Sequence, residues 1–165
     1  MEGQYEEAIY IAEALLLSGY RKDSEVYFML GTAYGLLKEG DKSIFNLQTA
    51  TALNPDNAEA NYNLGNAYDQ KEEYEKAIES YKKAIEIDPN DADTHNNLGN
   101  AYYNKGEYDK AIASYKKAIA IDPKLANAHN NLGFTYYKKG EYDKAIASYN
   151  QAIAIDPELA NAHYN

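Results

Sequence analysis

Residues 92–125, ADTHNNLGNAYYNKGEYDKAIASYKKAIAIDPKL, run directly into residues 126–159, ANAHNNLGFTYYKKGEYDKAIASYNQAIAIDPEL. The two stretches differ at eight of 34 positions, so the second restates the first. The same step continues outward from this pair. Leu30-Gly31, Leu64-Gly65, Leu98-Gly99 and Leu132-Gly133 lie 34 residues apart, as do Pro55, Pro89, Pro123 and Pro157. Tyr34, Tyr68, Tyr102 and Tyr136 keep the step as well. A fixed period of this length marks a chain built by stacking identical small units. With Leu-Gly as repeat positions 7 and 8, four full units run 24–57, 58–91, 92–125 and 126–159, the first being the divergent copy.

Residues 1–23 read as the second half of a unit, because Gly3-Gln4-Tyr5-Glu6-Glu7-Ala8-Ile9 aligns with Gly140-Glu141-Tyr142-Asp143-Lys144-Ala145-Ile146. Residues 160–165 read as the start of another, since Ala160-Asn161-Ala162-His163 repeats Ala126-Asn127-Ala128-His129. The chain thus reads as cut at both ends, with a lone helix expected over residues 5–17.

Each unit reads as two helices. On a wheel of about 100° per residue, positions 4, 7, 8 and 11 share one face, which in unit three holds His95, Leu98, Gly99 and Tyr102. Positions 2, 5, 6, 9, 12 and 13 fall on the opposite, polar arc. Gly106 and Gly140 stand where the first helix must end, because glycine accepts the left-handed backbone there. Tyr108, Ala111, Ile112, Tyr115, Ala118 and Ile119 then recur at helical spacing, and Asp122-Pro123 stops the second helix. Two helices this short cannot bury their apolar faces alone, so the units must stack.

The set Leu98, Gly99, Tyr102, Ala111, Tyr115, Ala118 and Pro123, repeated as Leu132, Gly133, Tyr136, Ala145, Tyr149, Ala152 and Pro157, resembles the tetratricopeptide repeat (TPR) family. The resemblance implies an all-α, right-handed superhelical solenoid of antiparallel helix pairs. It also implies a concave groove, lined by the first helices, that holds peptides or partner proteins. Some positions depart from the family pattern. Position 4, often tryptophan, is Tyr27, Asn61, His95 and His129; Ser43 replaces a small alanine; Gly40 lies two places late; and Glu72 takes the glycine slot.

Composition narrows the partners. A net charge of −10 opposes nucleic acid, whose phosphates need a basic stripe, and equally opposes anionic membrane surfaces. Residues 1–91 hold all of that excess, which favours neutral or basic protein partners. No cysteine is present, so disulfides and thiolate sites are excluded and a reducing, cytoplasmic setting is expected. The acidic first segment is unlike a secretory signal, and no apolar run is long enough for membrane insertion. No phosphate-loop string occurs, and His95, His129 and His163 are one repeat apart, too far to share a metal ion. No cofactor and no catalytic group are expected.

The outward arc of the first helices is where function is expected, because packing does not dictate it. Position 5 reads Phe28, Tyr62, Asn96 and Asn130; position 6 reads Met29, Asn63, Asn97 and Asn131; position 9 reads Thr32, Asn66, Asn100 and Phe134. Tyr103, Asn104, Tyr137 and Lys138 complete the expected groove lining at positions 12 and 13. Asparagine costs several tenths of a kcal/mol in a helix against alanine, so a row of them asks for a reason. A side-chain amide both donates and accepts, matching a peptide backbone of any sequence. The position-6 asparagines resemble the ladder in the TPR superhelix of O-linked N-acetylglucosamine transferases, which clamps extended peptide. The competing reading is a solvated helix face copied by duplication. Lys138 is the only base among the groove positions, which argues against the lysine- and arginine-rich carboxylate clamp of chaperone-binding TPR domains. Two further roles are compatible with the pattern: a scaffold that self-associates head to tail through open repeat faces, and the solenoid arm of a larger enzyme.

Overall fold

The computed structural model describes residues 2–20 and 22–158. The repeat start expected at residues 160–165, with His163, lies outside the described residues. Among these residues the chain is all helix and turn: α1 Glu2–Leu17, α2 Ser24–Leu36, α3 Gly40–Leu53, α4 Ala58–Gln70, α5 Tyr74–Ile87, α6 Ala92–Asn104, α7 Tyr108–Ile121, α8 Ala126–Lys138 and α9 Tyr142–Ile155. The first helix begins at Glu2, ahead of the expected Tyr5. By its internal contacts the chain forms two compact units, Met1–Asp88 and Pro89–Asn165.

In the first unit α1 packs on α2, α2 on α3, α3 on α4 and α4 on α5, and α2 also touches α4. In the second, α6 packs on α7, α7 on α8 and α8 on α9, with α6 touching α8. Close approach within each pair depends on the position-8 glycines. A Cβ on Gly65 would fall 2.5 Å from Cε1 of Tyr81, one on Gly99 2.5 Å from Cε1 of Tyr115, and one on Gly31 2.5 Å from Cγ of Leu47. Positions 3 and 10, which the wheel left unassigned, are buried throughout, as at Ala60, Ala67, Thr94, Ala101, Ala128 and Thr135. Their small size suits the second contact that α4 makes with α3, and α8 with α7.

Turns follow the chemistry of their residues. Gly106 and Gly140 take φ of 82° and 76° after α6 and α8. At the same repeat position Lys38 and Glu72 are forced into φ of 60° and 59°, a conformation that costs a side-chain-bearing residue about 1–2 kcal/mol. Gly40, two places on, opens α3 and supplies no left-handed turn. Ser43, the alanine substitute, is buried and donates its hydroxyl to Gly31 O at 2.8 Å. At position 4, His95 and His129 each place Nε2 3.1 Å from the carbonyl of Pro89 and Pro123, while Asn61 Nδ2 donates to Pro55 O at 3.2 Å. This position therefore ties α4, α6 and α8 to the proline turn before each.

Glu39, Glu73, Glu107 and Glu141 stand at the N-cap just before the second helices, and their carboxylates pair with Lys42, Lys76, Lys110 and Lys144 three residues on. Each of these lysines also lies over the position-11 ring of its own unit, from 4.8 Å for Lys42 on Tyr34 to 5.4 Å for Lys144 on Tyr136. The 34-spaced tyrosines are thus packing residues with a cation on one face.

Candidate protein-binding face

Helices α2 and α4 in the first unit, and α6 and α8 in the second, carry the expected site residues. Phe28, Tyr62, Asn63, Asn66, Asn97, Asn100, Tyr103, Asn130 and Asn131 are half-buried, and Asn104, Phe134, Tyr137 and Lys138 are exposed. Asn96 is buried, so it braces this face from within.

The asparagines are wired into the fold. Tyr81 donates its hydroxyl to Asn66 Oδ1 at 2.7 Å, and Tyr115 donates to Asn100 Oδ1 at 2.8 Å. Burial raises the Tyr81 hydroxyl pKa well above its ordinary value, with Asp69 and Tyr62 adding to the effect, so it stays a neutral donor. Between neighbouring first helices, Asn63 Nδ2 donates to Thr32 Oγ1 at 3.3 Å. Asn131 Nδ2 donates to Asn100 Oδ1 at 3.0 Å and to Asn96 Oδ1 at 3.2 Å. An amide is planar, so fixing one of its atoms fixes the other. At position 9 Asn66 and Asn100 are held through the oxygen; at position 6 Asn63 and Asn131 are held through the nitrogen, while the Asn97 oxygen accepts from Asn96 Nδ2 at 3.3 Å. The row is a set of oriented dipoles.

Aromatic residues cluster beside the amides in the second unit. Tyr103 lies 5.4 Å from Tyr108 and 5.5 Å from Phe134, centroid to centroid, and Lys138 Nζ sits 5.2 Å from the Phe134 ring. Tyr137 and Tyr142 are 5.8 Å apart. In the first unit Tyr62 tilts against Tyr81 at 6.1 Å.

Sequence pattern alone does not reveal Tyr81 and Tyr115 as supports of this face. Their spacing is nonetheless regular: Asn66–Tyr81 and Asn100–Tyr115 are each 15 residues apart, on the two helices of one pair. Among the described residues no group of three or more histidine and carboxylate side chains is placed to hold a metal ion. No helix there is long and apolar enough to cross a membrane.

Comparison with known proteins agrees with this architecture. A family model described as "TPR repeat" matches residues 31–71, 66–106 and 99–140, and one described as "Tetratricopeptide repeat" matches 126–159. Among solved structures, a crystal structure of MamA is 30% identical, with a TM-score of 0.90 over 96% of this chain and 92% of that one. MamA AMB-1 is 28% identical, with a TM-score of 0.85 over 94% and 92% of the two chains. MamA 41-end from Desulfovibrio magneticus RS-1, at 21% identity and a TM-score of 0.80 over 93% and 96%, shares the fold. No curated protein sequence matches. The fold class is the all-α solenoid of stacked helix pairs, a framework that typically serves as a non-enzymatic interaction module or scaffold.

Proposed function

Because the chain belongs to the tetratricopeptide repeat family, we propose that it is a protein-interaction module whose first helices line a concave groove for an extended segment of a partner. The observation that carries this reading is the orientation of the asparagine amides by Tyr81, Tyr115 and their neighbouring asparagines. Groups held in place before binding lose little freedom when a ligand arrives, which is where affinity is gained. A held side-chain amide still offers a donor or an acceptor to a peptide backbone, and the acidic N-terminal half draws in a basic partner by long-range steering. The cysteine-free composition suits work in the cytoplasm. Nothing in this proposal assigns catalysis to the chain.

The test uses an unstructured peptide of about 20 residues alternating glycine, serine and lysine. Fluorescence anisotropy should show saturable binding that weakens at least about tenfold when Asn63, Asn97 and Asn131 are all changed to alanine. Unchanged affinity in a folded triple variant overturns the reading.

Self-association is a second reading, favoured by one comparison. Ile112 is 9% exposed, whereas its repeat counterpart Ile146 is 58% exposed, beside exposed Tyr142 and Ile153 on α9. An apolar helix face of this kind can stack on the first helix of another copy. Light scattering across a dilution series tests it, and a monomer at every concentration counts against it.

A further inference from the structure

A hollow lies against the divergent first repeat, where two positions carry smaller residues than in repeats three and four. At repeat position 12 the four units carry Gly35, Asp69, Tyr103 and Tyr137, and at position 24 Leu47, Tyr81, Tyr115 and Tyr149. In the second unit Tyr103 packs its ring on Tyr108 and Phe134. In the first repeat glycine stands at that position and the shorter Leu47 takes the place of the tyrosine. Beside these residues lies a hollow of about 140 Å³ between α2, α3 and α4. Buried Ser43 and Leu47 and the bare backbone of Gly35 floor it; exposed Leu36, Gln70 and half-buried Asn63 form its rim.

From this geometry we infer that the hollow is a side-chain specificity pocket, and that its occupant is one leucine- to phenylalanine-sized residue of an extended, basic peptide. This rests on the groove reading above and adds the residue class that the groove selects. Size supports it, because a cavity of about 150 Å³ accepts a benzene ring. Lining supports it too. Leu47 and Leu36 offer apolar contact, while Asn63 and Asn66 on the same wall offer amides to the backbone that carries the side chain. Charge decides the flanks: residues 1–91 carry the whole excess of −10, so lysines on either side of the apolar residue are attracted. An acidic peptide of the same shape is repelled.

The experiment uses the full chain and fluorescein-labelled heptapeptides Lys-Ser-Gly-X-Gly-Ser-Lys, with X as glycine, alanine, leucine or phenylalanine. Anisotropy should give leucine or phenylalanine at least about tenfold tighter binding than glycine. Gly35→Tyr, which copies the residue of repeats three and four, should bring all four peptides to the level of the glycine peptide. Should that variant misfold, Leu36→Ser at the exposed rim should cut the preference severalfold. Asn66→Ala should weaken all four peptides alike. Equal affinity for all four peptides, with Asn66→Ala still weakening each, overturns the pocket and leaves the groove reading standing. A preference that survives both Gly35→Tyr and Leu36→Ser also overturns the pocket. No binding by any peptide up to about 1 mM overturns both.

Discussion

Tyr115 donates its hydroxyl to Asn100 Oδ1 at 2.8 Å while its ring occupies the space that a side chain on Gly99 would need. One residue thus sets both the spacing of the α6–α7 pair and the direction of an amide on the candidate binding face. Core packing and the face are therefore mechanically joined, and changes to one should be read in the other.

Gly99→Ala should be destabilising although alanine is the better helix former. Its Cβ would meet the Tyr115 ring at 2.5 Å, and overpacking of this kind costs about 1–3 kcal/mol against a helix-propensity gain of about 1 kcal/mol. Urea denaturation followed by circular dichroism should show a lower midpoint. Tyr115→Phe keeps the ring and removes the donor, so its expected loss is smaller, about 0.5–1.5 kcal/mol.

Replacing Glu72 or Lys38 by glycine should raise stability. Both residues hold positive φ, and glycine removes that strain at some cost in unfolded-chain entropy, for a net gain of about 0.5–1 kcal/mol. Thermal melts should rise by about 2–4 °C per kcal/mol gained. Gly106→Ala, the reverse change, should lower the melting temperature.

Asn131→Ala removes two donations between α8 and α6 and should cost about 1–2 kcal/mol. Asn63→Ala loses one longer bond to Thr32 and should cost less. Binding assays on these variants belong at temperatures where both are folded. Equal stability of wild type and Asn131→Ala would mean that the inter-repeat amide bonds contribute nothing.

Stability should fall at both ends of the pH scale for separate reasons. Lys110 and Lys105 hold the Glu107 carboxyl below its ordinary value of 4.5, and Lys144 and Lys139 do the same for Glu141. A folded pKa that is depressed gives stability above the unfolded value, lost as pH drops through the folded one. Burial raises Tyr81 and pairing with Asp109 raises Lys139, so their contributions are present below the ordinary values of 10.0 and 10.5 and are lost as pH climbs through the raised ones. Melts between about pH 3 and 11 should show both limbs. Glu107→Gln with Glu141→Gln should flatten the acid limb, and Tyr81→Phe should move the alkaline limb to higher pH.

The helix pairs were readable from one repeat, because Leu98, Gly99, Tyr102, Gly106 and Pro123 encode period, close contact, stop and turn within a single stretch of chain. What escaped that reading depends on neighbours. Burial of Ala128 and Thr135 needs the second partner that α8 gains by stacking, which a single-helix wheel omits. The strained turn at Lys38 was masked by Gly40 nearby, a glycine that serves the start of α3 instead. At the candidate site the asparagine row was legible as a row, but not its wiring: whether an amide faces a tyrosine one pair-depth below or an asparagine one repeat away is set by helix register, not by composition. The hollow beside Asn63 likewise depends on neighbours, since Gly35 on α2 and Leu47 on α3, two departures from the later repeats, both line it.

The account turns on amides that read a peptide's backbone. The most direct measurement compares the glycine–serine–lysine peptide with the same peptide N-methylated at every second residue, which keeps charge and removes alternate backbone donors. The account predicts a loss of at least about tenfold in affinity on methylation; equal affinity for the two peptides would contradict it.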